Sequence, residues 1–146
     1  RAGDSPPINI EEVFNLDETA NNTYGQRDRP EFKIKEKIYE MIRYGAPALL
    51  QFPKVERYEL AGRIRTSMYK LLEYAVRVER RYYKKTTVEE MDIELDVLRH
   101  LIRLAADRKL YPNSAPCLPF KKYEHWAKRL DEIGRMIGGY QKAIKQ

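Results

Sequence analysis

The 146-residue chain carries 28 Lys and Arg against 22 Asp and Glu, a net charge of +6, with two His and one Cys. That length is enough for one domain with its own core, and a lone cysteine excludes an intrachain disulfide or a cysteine-based metal site. No stretch approaches the ~18 consecutive apolar residues of a membrane span and no signal-type segment opens the chain, so a cytoplasmic location is expected.

Residues 1–30 read as a flexible arm: they are polar, contain Pro6-Pro7 and Asn21-Asn22, and hold only isolated apolar residues such as Ile8, Ile10, Val13, Phe14 and Leu16. The alternative is that Ile10 to Leu16 docks as a short helix onto a neighbouring subunit. Asp28-Arg29-Pro30-Glu31 then offers an N-cap acceptor, an early proline and an acid in the first turn, predicting a helix whose inner face is Ile34, Ile38, Met41, Ile42 and Leu49. Gly45 and Pro47 should weaken its last turns before Phe52-Pro53 closes it.

A second helix is predicted from Val55 to Lys84, with the seam Leu60, Ile64, Met68, Leu71, Ala75, Val78 and Tyr82. Thr87-Val88-Glu89-Glu90 resembles a capping box and opens a third helix, whose seam is Val88, Met91, Leu95, Leu98, Ile102 and Ala105. Beside that seam runs a second apolar strip of Ile93, Val97, Leu101 and Leu104. After a proline-rich loop from Tyr111 to Pro119, a fourth helix places Trp126, Leu130, Ile133, Ile137, Tyr140 and Ile144 on one face. No strand pattern competes, so residues 31–146 are expected to form an all-α, antiparallel up-down four-helix bundle. The surplus strip on the third helix and Tyr58, Tyr69, Val76 and Tyr83 on the second have two readings: tyrosines that tolerate solvent and shield aliphatic stems, or, as two helices show the excess independently, a self-association surface, which is the expectation. Gly134 and Gly138 fall on a third strip of the last helix, where another backbone can come close.

Charge is unevenly spread. Residues 1–51 carry seven Lys and Arg against nine Asp and Glu, −2, and residues 52–146 carry twenty-one against thirteen, +8. On the second helix Arg63, Lys70, Arg77 and Lys84 recur every seven residues, joined by Arg80, Arg81 and Lys85. On the fourth, Lys121, Lys128, Arg135 and Lys142 do the same on the side away from the core. Two readings stand. The rows contact nucleic-acid phosphates, or they are a solvated face held by i, i+4 pairs such as Glu59–Arg63, Glu73–Arg77, Glu124–Lys128 and Asp131–Arg135. Phosphate contact alone is salt-sensitive and sequence-tolerant.

Catalysis has little support. His100 and His125 sit on different elements with no i, i+4 ligand pair, the histidine motif of HEPN-type ribonucleases is absent, and no phosphate-binding loop ending in Gly-Lys-Ser/Thr occurs. Neither enzyme activity nor a metal or other cofactor is expected.

Phe52-Pro53-Lys54-Val55-Glu56-Arg57-Tyr58-Glu59-Leu60 resembles the helix-entry signature of small bacterial four-helix bundle proteins, among them those encoded in intervening sequences of large-subunit ribosomal RNA genes. Leu130-Asp131-Glu132-Ile133-Gly134-Arg135-Met136-Ile137-Gly138-Gly139-Tyr140 is more similar to one branch, the accessory variability determinant (Avd) of diversity-generating retroelements. Arg99, Leu101, Arg103 and Leu104 also resemble that branch, and the likeness spans about residues 31 to 144. The resemblance implies a homopentameric barrel of bundles, without catalysis of its own, that binds a reverse transcriptase and its template RNA or DNA through a basic surface. Such a complex supports error-prone, adenine-targeted cDNA synthesis and mutagenic retrohoming. The competing expectations are a bundle of the ribosomal intervening-sequence type and a structural oligomeric adaptor indifferent to nucleic acid.

Overall fold

The computed structural model describes residues 28–145, so the arm expected over residues 1–30 and the docking of Ile10–Leu16 lie outside the described residues, apart from residues 28–30. Helices α1 (Pro30–Leu49), α3 (Leu60–Arg80), α4 (Lys85–Ala106) and α5 (Phe120–Lys145) are long, and α2 (Lys54–Arg57) is a single turn. The described residues contain no strand. Each long helix packs on its chain neighbour and α1 closes the ring on α5, which is the square of an up-down bundle. The four seams meet inside it as one core, with Ile38, Met41, Ile64, Met68, Leu71, Leu98, Trp126 and Ile137 among its members.

Several boundaries differ from the expected ones. Arg29, not Asp28, is the N-cap of α1 and makes no side-chain cap bond; Pro30, with no N–H to satisfy, supplies the start. At the far end Pro47 cannot donate, and α1 tightens into three-residue steps, Leu50 N to Pro47 O, Gln51 N to Ala48 O and Phe52 N to Leu49 O. The single helix predicted over Val55–Lys84 is broken at Tyr58-Glu59 and ends at Arg80. Tyr82 therefore leaves the seam: it lies in the α3–α4 turn, 88% exposed, with its ring edge-on to Tyr83 at 4.9 Å. Thr87 is not a cap either. It is buried two residues inside α4, and its hydroxyl accepts a hydrogen bond from Arg81 Nη1 at 3.0 Å.

The two ends of the bundle are closed differently. At one, Trp126 lies fully buried between α1 and α5, donating from Nε1 to Met41 Sδ at 3.3 Å, with Tyr44 edge-on to it. Gly45 is the reason it fits, since a Cβ there would overlap the indole six-membered ring. Phe52, Cys117 and Leu118 complete this apolar cap. Burial pushes the Cys117 thiol up, with the nearby Glu56 carboxylate adding to the shift, and so keeps it protonated.

At the other end Glu31 Oε1 accepts hydrogen bonds from Lys84 Nζ and from the Tyr140 hydroxyl, both at 2.8 Å. Burial pushes the Glu31 carboxyl up, but those bonds, its own backbone amide and the Lys84 charge outweigh burial and hold it below its ordinary value. Tyr140 moves the other way. Its burial and the Glu31 carboxylate raise the phenol well above the usual tyrosine range.

Candidate nucleic-acid interface

The cations expected to contact phosphates follow directly from helix phase. On α5, Lys121, Lys128, Arg135 and Lys142 lie opposite the buried seam and all are exposed, forming a row of about 30 Å at 1.5 Å per residue. Arg63, Lys70 and Arg77 are exposed on the flank of α3 that borders α4, Arg81 continues that flank past the helix end while Arg80 turns toward the side of Tyr69 and Val76, and Lys85 opens α4. Because α3 and α5 occupy diagonal corners of the square, the two rows face opposite directions and do not merge along the body. The last turns of α3 and α5 and the first turn of α4 lie at the same end of the bundle.

The ion pairing differs from the sequence expectation. Among the described residues none of the four i, i+4 pairs is within 4 Å; Asp131 turns to Arg99 across the α4–α5 contact, at 3.4 Å. Bridges among the described residues include Lys35–Glu79, Lys37 with Glu40 and Glu132, Lys84–Glu31, Arg99–Asp131 and His100–Asp96. Arg63, Arg77, Lys128 and Arg135 thus keep their charge unpaired by any described carboxylate. Lys84 is the exception among the expected cations. No acid lies four residues before it, yet the fold brings Glu31 to it from α1, and it is half-buried in that bond. A tertiary partner 53 positions away leaves no trace in local spacing.

The residues expected at a self-association surface separate into two faces. Tyr58 and Tyr83 are exposed but lie outside α3, in the break before it and the turn after it, so the four-residue line with Tyr69 and Val76 does not exist. Tyr58 instead joins Val97 and Leu101 of α4 along a groove of about 550 Å³ between α3 and α4, rimmed by Arg63 and Lys70 and floored by Gly62, Thr66 and Ser67. Ser67 there donates to Glu94 Oε2 at 2.7 Å. Ile93, Val97 and Leu104 are exposed along that side of α4, while Leu101 is partly buried against the core.

Gly134 is used within the subunit: the Arg99 guanidinium occupies the space a side chain would take and donates from Nη2 to Leu130 O at 3.1 Å. Gly138 has open space around it. Leu50, Val55 and Phe120, large and exposed near the apolar end, were not expected at an interface. Each lies at or beyond a helix boundary, where periodicity carries no signal.

Catalytic chemistry has no assembled centre among the described residues. His125 is exposed, and exposed His100 has its Nδ1 at 2.8 Å from the Asp96 carbonyl, one turn back on its own helix. No group of three His, Cys, Asp or Glu could hold a metal among those residues. No described helix is long and apolar enough to cross a membrane.

A family model described as bAvd-like matches residues 32–144, from the first turn of α1 to the last of α5. The chain belongs to the bAvd-like family. The match takes in all four long helices and both cationic rows, and the resemblance carried by the closing helix is confirmed at family level. Members of this family are of the accessory, non-catalytic kind. No curated protein and no solved structure matches the chain.

Proposed function

We propose that this chain is a non-catalytic accessory subunit of a diversity-generating retroelement, binding its reverse transcriptase and template RNA or DNA and supporting mutagenic reverse transcription and retrohoming. The observation that carries the reading is the row Lys121, Lys128, Arg135 and Lys142, exposed and without a carboxylate partner among the described residues, on a helix inside the bAvd-like match. Four cations spaced by about 10 Å along a straight helix present charge at intervals a phosphate backbone can follow, and binding of that kind acts by counterion release. It fixes position without reading bases.

Self-association belongs to the same reading. The exposed strip of Ile93, Val97 and Leu104 with the adjoining Tyr58 groove offers an apolar face to a second copy, and the family resemblance implies five copies in a ring. Packing through this face leaves the α5 row, on the diagonal corner, outward on every subunit.

Fluorescence anisotropy with single-stranded RNA across a salt series tests the proposal. The wild-type affinity should fall linearly in log–log form, and Lys128→Glu with Arg135→Glu should flatten the slope by about 1.4, two contacts at ~0.7 each. No binding at low salt, or the same slope in the double variant, overturns it. The structural adaptor remains the alternative for an oligomer, seen by light scattering, that ignores nucleic acid.

A further inference from the structure

Phe32 is out of place for a core residue. Taking 100° per residue, it lies about 150° round α1 from the seam of Ile34, Ile38, Met41 and Gly45, and it is not part of the core cluster. Its side chain is nonetheless only 6% exposed, with Lys35 Nζ 5.1 Å above the ring. An outward phenylalanine on a surface helix is buried only when something lies over it.

The face around it has a definite character. Phe32, Glu36, Tyr39 and Arg43 follow one another at spacings of four, three and four on α1, and Arg65, Tyr69, Leu72, Val76 and Arg80 run at four, three, four and four on α3. Between the two strips Tyr39, Ile42, Arg43, Tyr69 and Leu72 line a depression of about 240 Å³. The middle of this face is apolar apart from Glu36, and its ends carry arginine. It is distinct from the α3–α4 groove, which lies on the other flank of α3.

We propose that residues 8–18 of the chain dock on this outer α1–α3 face of their own bundle, seating Ile10, Val13 and Phe14 over Phe32 and the Tyr39–Tyr69 depression. The chemistry is complementary: three apolar residues at i, i+3 and i+4 are flanked by Glu11, Glu12, Asp17 and Glu18, against an apolar strip flanked by Arg43, Arg65 and Arg80. Residues 1–27 carry two arginines against five acids, −3, on a chain whose remainder is basic. The connection also reaches. Ten residues from Thr19 to Asp28 span up to ~35 Å when extended, and Tyr39 to Arg43 lie only ~14–20 Å along α1 from Pro30. Docking of this kind would cover Arg80 at the end of the α3 row while leaving the α5 row open, so it distinguishes the two rows. It does not depend on nucleic-acid binding.

Two measurements on the full chain decide it. In hydrogen exchange, Val13→Asp with Phe14→Asp should speed exchange about tenfold over 32–43 and 69–76 and leave the rest of the bundle unchanged. Unchanged exchange on that face, or acceleration throughout the bundle, overturns the proposal. Oxidation of an Asn15→Cys, Tyr69→Cys variant, in which native Cys117 is buried, should give an intrachain disulfide and a faster-running monomer on a non-reducing gel. A covalent dimer overturns docking on the same bundle, and absence of any cross-link overturns docking itself.

Discussion

The two ends of the bundle solve one problem in opposite ways. Where α1 finishes and α5 begins, the end is sealed by shape: an indole fills the space left by Gly45 and touches a thioether. Where α1 begins and α5 finishes, the seal is polar, one carboxylate serving an ammonium and a phenol. The apolar end derives its strength from excluded water and dispersion, which neither titrate nor are screened by salt. The polar end lies under the convergence of cations from α3, α4 and α5, and its closure depends on the protonation of Glu31. Changing conditions should therefore loosen the molecule from the cationic end first.

The largest effect separating the two ends should come from Trp126→Ala. It empties the apolar cap and should lower stability by about 3–5 kcal/mol in thermal or denaturant unfolding, at any pH from 5 to 8. Glu31→Ala should cost less, about 1–3 kcal/mol, because it leaves Lys84 and Tyr140 without their shared acceptor. Its cost should also depend on pH. A carboxyl held below its unfolded value of ~4.3 stabilises the fold above that pH, and the contribution disappears as pH falls through the folded value. Wild type and Glu31→Ala should thus converge in melting temperature in acid, whereas wild type and Trp126→Ala should stay apart; parallel curves for Glu31→Ala would mean that its ionisation is not coupled to folding. The smallest effect is expected for Tyr140→Phe, about 1 kcal/mol, since the ring stays in the core and only one hydrogen bond is lost.

Much of this architecture could be read from the order of residues. Seams at three-four spacing placed the core of every long helix, because burial of one face is a local property repeated along the chain. The cationic row of α5 was equally legible, being the complement of its seam. What escaped was set by contacts across the fold. The α3 helix stops at Arg80 although no glycine or proline marks the place, and Tyr82 continues the spacing of Val78 into a turn where no core remains to receive it. Thr87 has the composition of a cap but is buried against the turn, and Lys84 finds its acid on another helix. The ion pairs inferred along α3 and α5 failed for the same reason: an i, i+4 pair is worth ~0.3–0.5 kcal/mol, so a better placed partner such as Arg99 draws Asp131 away.

The seating of Arg99 against Gly134 also fixes the axial register of α4 on α5. Gly138 repeats the notch one turn later, so a slide of ~5.4 Å would offer the same guanidinium a second resting place. That slide would bring Arg135 to the position of Asp131, exchanging an attraction for a repulsion, and would present Ile144 to Glu31 in place of the Tyr140 hydroxyl. It would also carry Gly134 into the place of Leu130 and Gln141 into that of Ile137, so the buried seam and the sign of one neighbouring charge select the same register.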